Sequence, residues 1–295
     1  MFRRCLSFRR KTRWNEGTVP LGSGKRGRPA LSRQGLTLLE MLLALAILVM
    51  IAGTLGGLAT AVQMNSDYGE GQGTATQHAR VVLERIERSV AEAVANESFP
   101  GFLVVAQYVG TWRFPDTLVV WRPPDGARPA DPEGLPRFNE VVIYCPNPRQ
   151  PGQLQEIRLP NDARVVPPVE NEAAWAAEIA AIQQAQTGQI VALTDRLRTC
   201  SVSGASSATP RGAVRFESRL LPSAAEWQQY RSGTLAWRKL SWVQGIYGAQ
   251  TGLRQAWLRI ELQLVPEGAT GLGSAGQQQP VVFFGSAARY YEMHR

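Results

Sequence analysis

Hydrophobic and polar positions along this chain change pattern twice. Residues 41–62 carry no charged side chain. As a helix rising 1.5 Å per residue, such a run spans roughly 33 Å, enough to cross the hydrocarbon core of a bilayer. From about residue 74 to residue 96, Val82, Leu83, Ile86, Val90, Ala93 and Val94 recur at helical spacing, while Arg80, Glu84, Arg85, Glu87, Arg88 and Glu92 supply the polar positions. Glu84 and Arg88 stand four apart, in the order that favours pairing. A helix with one apolar stripe needs a surface to cover it.

Beyond residue 100 the pattern changes again, to short runs rich in Val, Ile, Tyr and Trp bounded by Gly and Pro. These read as strands at 102–109, 117–122, 140–145, 153–159, 213–220, 234–243 and 255–265, with a short last strand at 281–284. In 255–265, Leu258, Ile260, Leu262 and Leu264 are expected to face the core, with Arg254, Trp257 and Arg259 near water. Residues 123–136 hold five prolines and read as a surface loop. The alanine-rich segment 171–187 reads as a helix with Trp175, Ile179 and Ile182 on one face, extendable toward Arg198. Most of the seven tryptophans beyond residue 62 are expected in the core.

The whole-chain charge of +8 invites a nucleic-acid reading, but it is unevenly distributed. Residues 1–35 hold ten Lys or Arg against the single acid Glu16, a charge of +9, which leaves −1 for the rest. The basic character therefore belongs to the amino-terminal segment, and the remainder lacks the global basic footprint of a non-specific nucleic-acid binder. Basic residues before the first apolar helix stay cytoplasmic by the positive-inside rule, which puts the chain after Val62 outside the cytoplasm. Gly53, Gly56 and Gly57 interrupt the apolar run, and Gly69, Gly71 and Gly73 mark an expected weak point or break in the helix.

One acid stands at the head of the apolar run. Glu40 has no basic neighbour in sequence, and an acid inside a bilayer costs on the order of 2.5–3.5 kcal/mol on insertion scales, so it reads as functional with a partner from elsewhere. The stretch Arg33-Gln34-Gly35-Leu36-Thr37-Leu38-Leu39-Glu40, preceded by basic residues and followed by about 20 apolar ones, resembles the processing site of type IV pilins and type II secretion pseudopilins. The resemblance covers residues 33 to about 62 in detail. It departs at Leu36, where the family usually has phenylalanine. It implies cleavage between Gly35 and Leu36 by a membrane prepilin peptidase, N-methylation of Leu36, and an assembly role for Glu40 toward the methylated amino terminus of an adjoining subunit.

The expected fold class is α+β and pilin-like: a long amino-terminal helix, transmembrane in one half and amphipathic in the other, packed on an antiparallel β-sheet domain. The expected divisions are a removed basic leader at 1–35, a transmembrane helix at 36–63, its amphipathic continuation at 64–98 and an exported β-rich domain at 99–295. The resemblance is strongest to J-type minor pseudopilins and W-type minor pilins. The implied partners are other pilins or pseudopilins through the amino-terminal helix, the prepilin peptidase and the inner membrane, with the carboxy-terminal domain periplasmic and the subunit assembled into a periplasmic or surface filament.

Candidate chemistry is sparse. Cys5 lies in the leader, which leaves Cys145 and Cys200 as an even pair in an oxidising compartment; one disulfide is expected, the alternative being two buried thiols. His78 and His294 have no ligand neighbours at metal spacing and read as solvated; no metal, cofactor, small-molecule substrate, nucleic acid or catalytic residue is assigned. Gly22-Ser23-Gly24-Lys25 lacks the residues of a phosphate-binding loop, and Gly271 to Gly276 matches a dinucleotide-loop pattern but precedes a strand where a helix is needed. Two rivals stay open. A signal-anchored periplasmic enzyme or binding protein would use the signal-peptidase-like Ala59-Thr60-Ala61, and a DNA-uptake minor pilin would use a local patch around Arg211, Arg215 and Arg219.

Overall fold

The computed structural model describes residues 37–124, 127–202, 209–243, 252–266 and 280–292. The segments 1–36, 271–276 and His294, on which several of these expectations fall, lie outside the described residues. The chain divides into two compact units, Met1–Gly57 and Leu58–Arg295. Helix α1 spans Leu38–Ala91 as 54 unbroken helical residues, so the glycines at 69, 71 and 73 do not interrupt it. Glycine lowers helix propensity by about 1 kcal/mol per residue; Gly71 and Ala75 are buried, so packing supports the helix where local propensity is weak.

In the first unit every described residue of α1 is exposed. In the second, Ala75, Ala79, Val82, Ile86, Val90 and the post-helical Ala93 are fully buried at steps of three and four, the stripe the periodicity predicts. Burying one Ile or Val contributes about 1.5–3 kcal/mol, so the stripe docks this half of the helix firmly. Its polar side pairs differently from expectation: Glu84 accepts from Arg80, one turn earlier, at 2.8 Å.

The stripe packs into a core shared by two antiparallel sheets. The first has five strands in sequence order: β1 (Phe102–Val109), β2 (Trp112–Trp121), β3 (Val141–Pro146), β4 (Leu154–Arg158) and β5 (Gln189–Thr194). The second is β10–β9–β8, built from β8 (Val214–Leu221), β9 (Leu253–Leu264) and β10 (Val281–Glu292); β6 (Thr199–Val202) and β7 (Thr209–Gly212) form a separate ribbon. The central strands of the five-stranded sheet are buried on both faces. Leu118, Val120, Val142 and Tyr144 point into the α1 core, whereas Val119, Trp121, Val141, Ile143 and Cys145 point into a second core beneath α2 (Glu172–Ala185). Burial on both faces explains why residues 118–121 of β2 and 141–145 of β3 read as unbroken apolar runs.

Several elements differ from the sequence reading. Helix α2 starts where Asn171 caps it by accepting from Ala174 N at 3.1 Å, and it stops well before Arg198. Gln186 adopts a left-handed φ of 52°, and Gly188 follows at φ +100° with Arg158 O against the place a Cβ would occupy. The chain then turns into β5 at the sheet edge. The expected strand 234–243 is absent. Trp237, Leu240 and Val243 are buried at steps of three, the period of the short 3-10 turn at Trp237–Lys239. Before it lies α3 (Ala224–Arg231), whose Trp227 and Tyr230 pack with Trp237.

Strand β10 runs to Glu292 instead of ending at 284, because all twelve of its residues find partners on β9. Arg254 is buried, not near water, with its guanidinium 5.1 Å from the Trp227 ring and 5.9 Å from the Tyr291 ring. Burial holds its pKa below the ordinary arginine value. Trp121, Trp175, Trp227 and Trp237 are buried, while Trp112 is exposed.

Candidate functional site

The head of α1 is built from Thr37 and Glu40. Thr37 donates to Glu40 Oε2 from its backbone N at 2.9 Å and from Oγ1 at 3.0 Å, while Glu40 N donates to Thr37 Oγ1 at 3.3 Å. This is a reciprocal capping box: each side chain satisfies a backbone N–H that the helix start leaves orphaned. It accounts locally for an acid at this position, an explanation the sequence reading overlooked. Thr37-Leu38-Leu39-Glu40 carries the S/T-x-x-E signature that could have revealed it. Both bonds end on Oε2, and Oε1 accepts nothing among the described residues. One carboxylate oxygen therefore stays open to a second donor, at the end of a helix long and apolar enough to cross a membrane. The other residues of the expected processing site, Gly35 and Leu36, lie outside the described residues.

Cys145 and Cys200 are not bridged. Cys145 is fully buried on β3, where Gln155 Nε2 lies 3.7 Å from its sulfur, and burial pushes its thiol up to about 11. Cys200 sits on β6 directly across from Arg211. Gln183, which bonds the Cys145 thiol, accepts from Gln107 at 2.9 Å, and Gln107 in turn accepts from Arg211 at 3.0 Å. A connected row of polar side chains thus stands from one cysteine to the strand position opposite the other, and the expected disulfide does not form.

That row lines a cleft of about 80 Å³ with Asp116, Asn147 and four prolines. The Arg211 Nη1 to Asp116 Oδ2 bond is 2.8 Å, and both side chains are largely buried. Burial raises the Asp116 pKa despite Arg211 beside it. The pair ties the β6–β7 ribbon to β2.

Arg211 is therefore committed within the fold, Arg215 pairs with Glu217 at 2.6 Å, and Arg219 lies 5.8 Å over the Trp257 ring. The three arginines of the expected patch do not present three uncompensated charges. Among the described residues no three His, Cys, Asp or Glu side chains converge as metal ligands. No protein-family model, no curated protein and no solved structure matches this chain.

Proposed function

We propose that the chain is a minor pilin or pseudopilin: a subunit cut after Gly35, methylated on Leu36, anchored in the inner membrane by α1 and assembled with its neighbours through that helix. The observation that carries this reading is the open Oε1 of Glu40 at the head of a 54-residue helix. The apolar half of that helix is exposed throughout, and its other half is docked on antiparallel sheets.

In this reading the free amino group of an adjoining subunit approaches Oε1 while the capping box holds Oε2 and fixes the carboxylate's direction. An ammonium–carboxylate contact gains strength where water is excluded, so it sets axial register within a bundle of such helices. An exposed apolar half suits either lipid or neighbouring helices, the two surroundings a subunit meets before and after assembly. The exported domain then starts or caps the filament.

Mass spectrometry of the amino terminus of the purified protein tests the proposal. Methyl-leucine at Leu36 is expected. A start at Val62, or retention of residues 1–35, sinks it in favour of a signal-anchored periplasmic protein.

A further inference from the structure

The cleft beside the β6–β7 ribbon holds an arginine that is only partly spent. Arg211 uses one nitrogen, Nη1, for both Gln107 Oε1 at 3.0 Å and Asp116 Oδ2 at 2.8 Å. Among the described residues its Nε and Nη2 donate to nothing, and neither is sealed from water. Those two nitrogens form the edge of a guanidinium that meets both oxygens of a carboxylate side by side.

That edge is held in place. The guanidinium lies 5.2 Å over the Phe114 ring, and Gln107 is itself fixed by donating to Gln183 at 2.9 Å. The ribbon that carries Arg211 sits so close to the β3–β4 connection that a Cβ on Gly212 would strike Pro151 O. The Arg211 side chain is 18% exposed and that of Asp116 3%, so water competes weakly with a ligand there. A space of about 80 Å³ lies well below the roughly 300–1,000 Å³ of a pocket for a drug-sized ligand. It has room for a carboxyl group and a short stub, and the four prolines of its wall offer that stub apolar surface.

We propose that this cleft binds a small carboxylate, free or at the end of a peptide, on the Nε–Nη2 edge of Arg211, with Asp116 taking up one proton. Asp116 already balances the guanidinium, so the ligand arrives as a second anion. Burial raises the Asp116 pKa against the pull of Arg211, which prepares its carboxylate to accept that proton. Its other neighbours carry no charge: Thr117, Gln107 and Gln183 are neutral, and burial pushes the Cys145 thiol up to about 11. The site is independent of how the amino terminus is processed.

Saturation-transfer NMR on the full chain in detergent tests the proposal, with propionate, propionamide, and trialanine carrying a free or an amidated end. Propionate is expected to bind, more tightly as pH falls from 7 to 6, and propionamide about tenfold more weakly. Arg211→Lys keeps the charge beside Asp116 but lacks the fork, and loses about tenfold. Asp116→Asn keeps an acceptor for Nη1 and removes the competing anion; it tightens propionate about tenfold at pH 7 and flattens the pH dependence, which a purely structural pair would not do. Thr209→Phe fills the cleft wall without touching the pair and abolishes binding. Tighter binding of free-ended trialanine than of propionate supports a chain end as the ligand, and the reverse supports a free acid. The proposal is overturned if neither carboxylate binds below about 10 mM, if the amides bind equally, if affinity stays level between pH 7 and 6, if Arg211→Lys or Thr209→Phe binds like wild type, or if Asp116→Asn does not bind more tightly.

Discussion

The Arg85 guanidinium on α1 grips the Glu156 carboxylate on β4 with two bonds, Nε to Oε2 at 2.6 Å and Nη2 to Oε1 at 3.2 Å. Arg158 adds a third at 3.0 Å. Glu156 is almost fully buried while Arg85 is half-exposed, so the helix reaches into the sheet to neutralise an acid that could not stand there alone. The bond ties the amphipathic half of α1 to the five-stranded sheet by a route separate from the apolar stripe.

Glu156→Gln leaves two arginines facing a neutral amide. Breaking a buried pair costs about 3–5 kcal/mol, and the exposure of Arg85 brings the expected loss down to about 2 kcal/mol. Arg85→Met leaves Arg158 in place and should cost about 1 kcal/mol. Denaturant unfolding of both variants of the full chain in detergent checks the order; equal losses would mean that Arg158 contributes nothing.

The same carboxylate sets an acid limit. Burial alone would push Glu156 upward, but the hydrogen bonds from Arg85 and Arg158 outweigh it and hold the folded-state pKa below the ordinary 4.5. A depressed carboxylate contributes stability above its unfolded value and loses it as pH falls toward the folded value. Thermal unfolding followed downward from pH 7 should weaken below about pH 4.5 in the wild type, with a flatter acid limb in Glu156→Gln. Parallel limbs would remove Glu156 as the cause.

At the helix head, capping and assembly can be separated. Thr37→Ala removes the cap, costing about 1 kcal/mol locally, and leaves the Glu40 charge in place. Filament yield or secretion is expected to survive Thr37→Ala and to fail in Glu40→Val, with processing after Gly35 largely intact in both. Equal defects would reduce Glu40 to a capping residue.

The turn after α2 depends on a residue without a side chain. Gly188→Ala forces a Cβ onto Arg158 O at a φ of +100°, so a loss of about 1–3 kcal/mol is expected. The sensitive readout is amide exchange along β5, which the turn delivers to the sheet edge; unchanged protection there would show that the turn relaxes freely.

Thiol accessibility provides a further check. A maleimide applied to the folded protein should label the half-buried Cys200 and spare Cys145, which reacts only after unfolding. Peptide mapping distinguishes the two sites, and a Cys145–Cys200 linked peptide from unreduced protein would contradict the structure.

Much of the architecture was legible in the residues because it depends on neighbours in sequence. The buried stripe Val82–Ile86–Val90 follows from a period of 3.6, and β1 spans the predicted 102–109. The capping box at Thr37 and Glu40 was equally local, and so was the inward face of Arg254, which has the same parity as Leu258 and Ile260. In both cases the spacing of the side chain, and not its charge, sets its surroundings.

The sequence by itself determined the elements whose cause is local: an uncharged span, an amphipathic continuation, and strands between turn residues. Tertiary structure alone decided what depends on a distant surface. β10 extends through the small residues 285–288 because β9 offers a twelve-residue ladder; the central strands of the five-stranded sheet are apolar on both faces because α2 covers the side away from α1; and Cys145 and Cys200 are unbridged, one buried in the core beneath α2 and the other on the β6–β7 ribbon. Period and propensity describe the face a residue presents, whereas burial, pairing and charge compensation depend on which part of the chain arrives against that face.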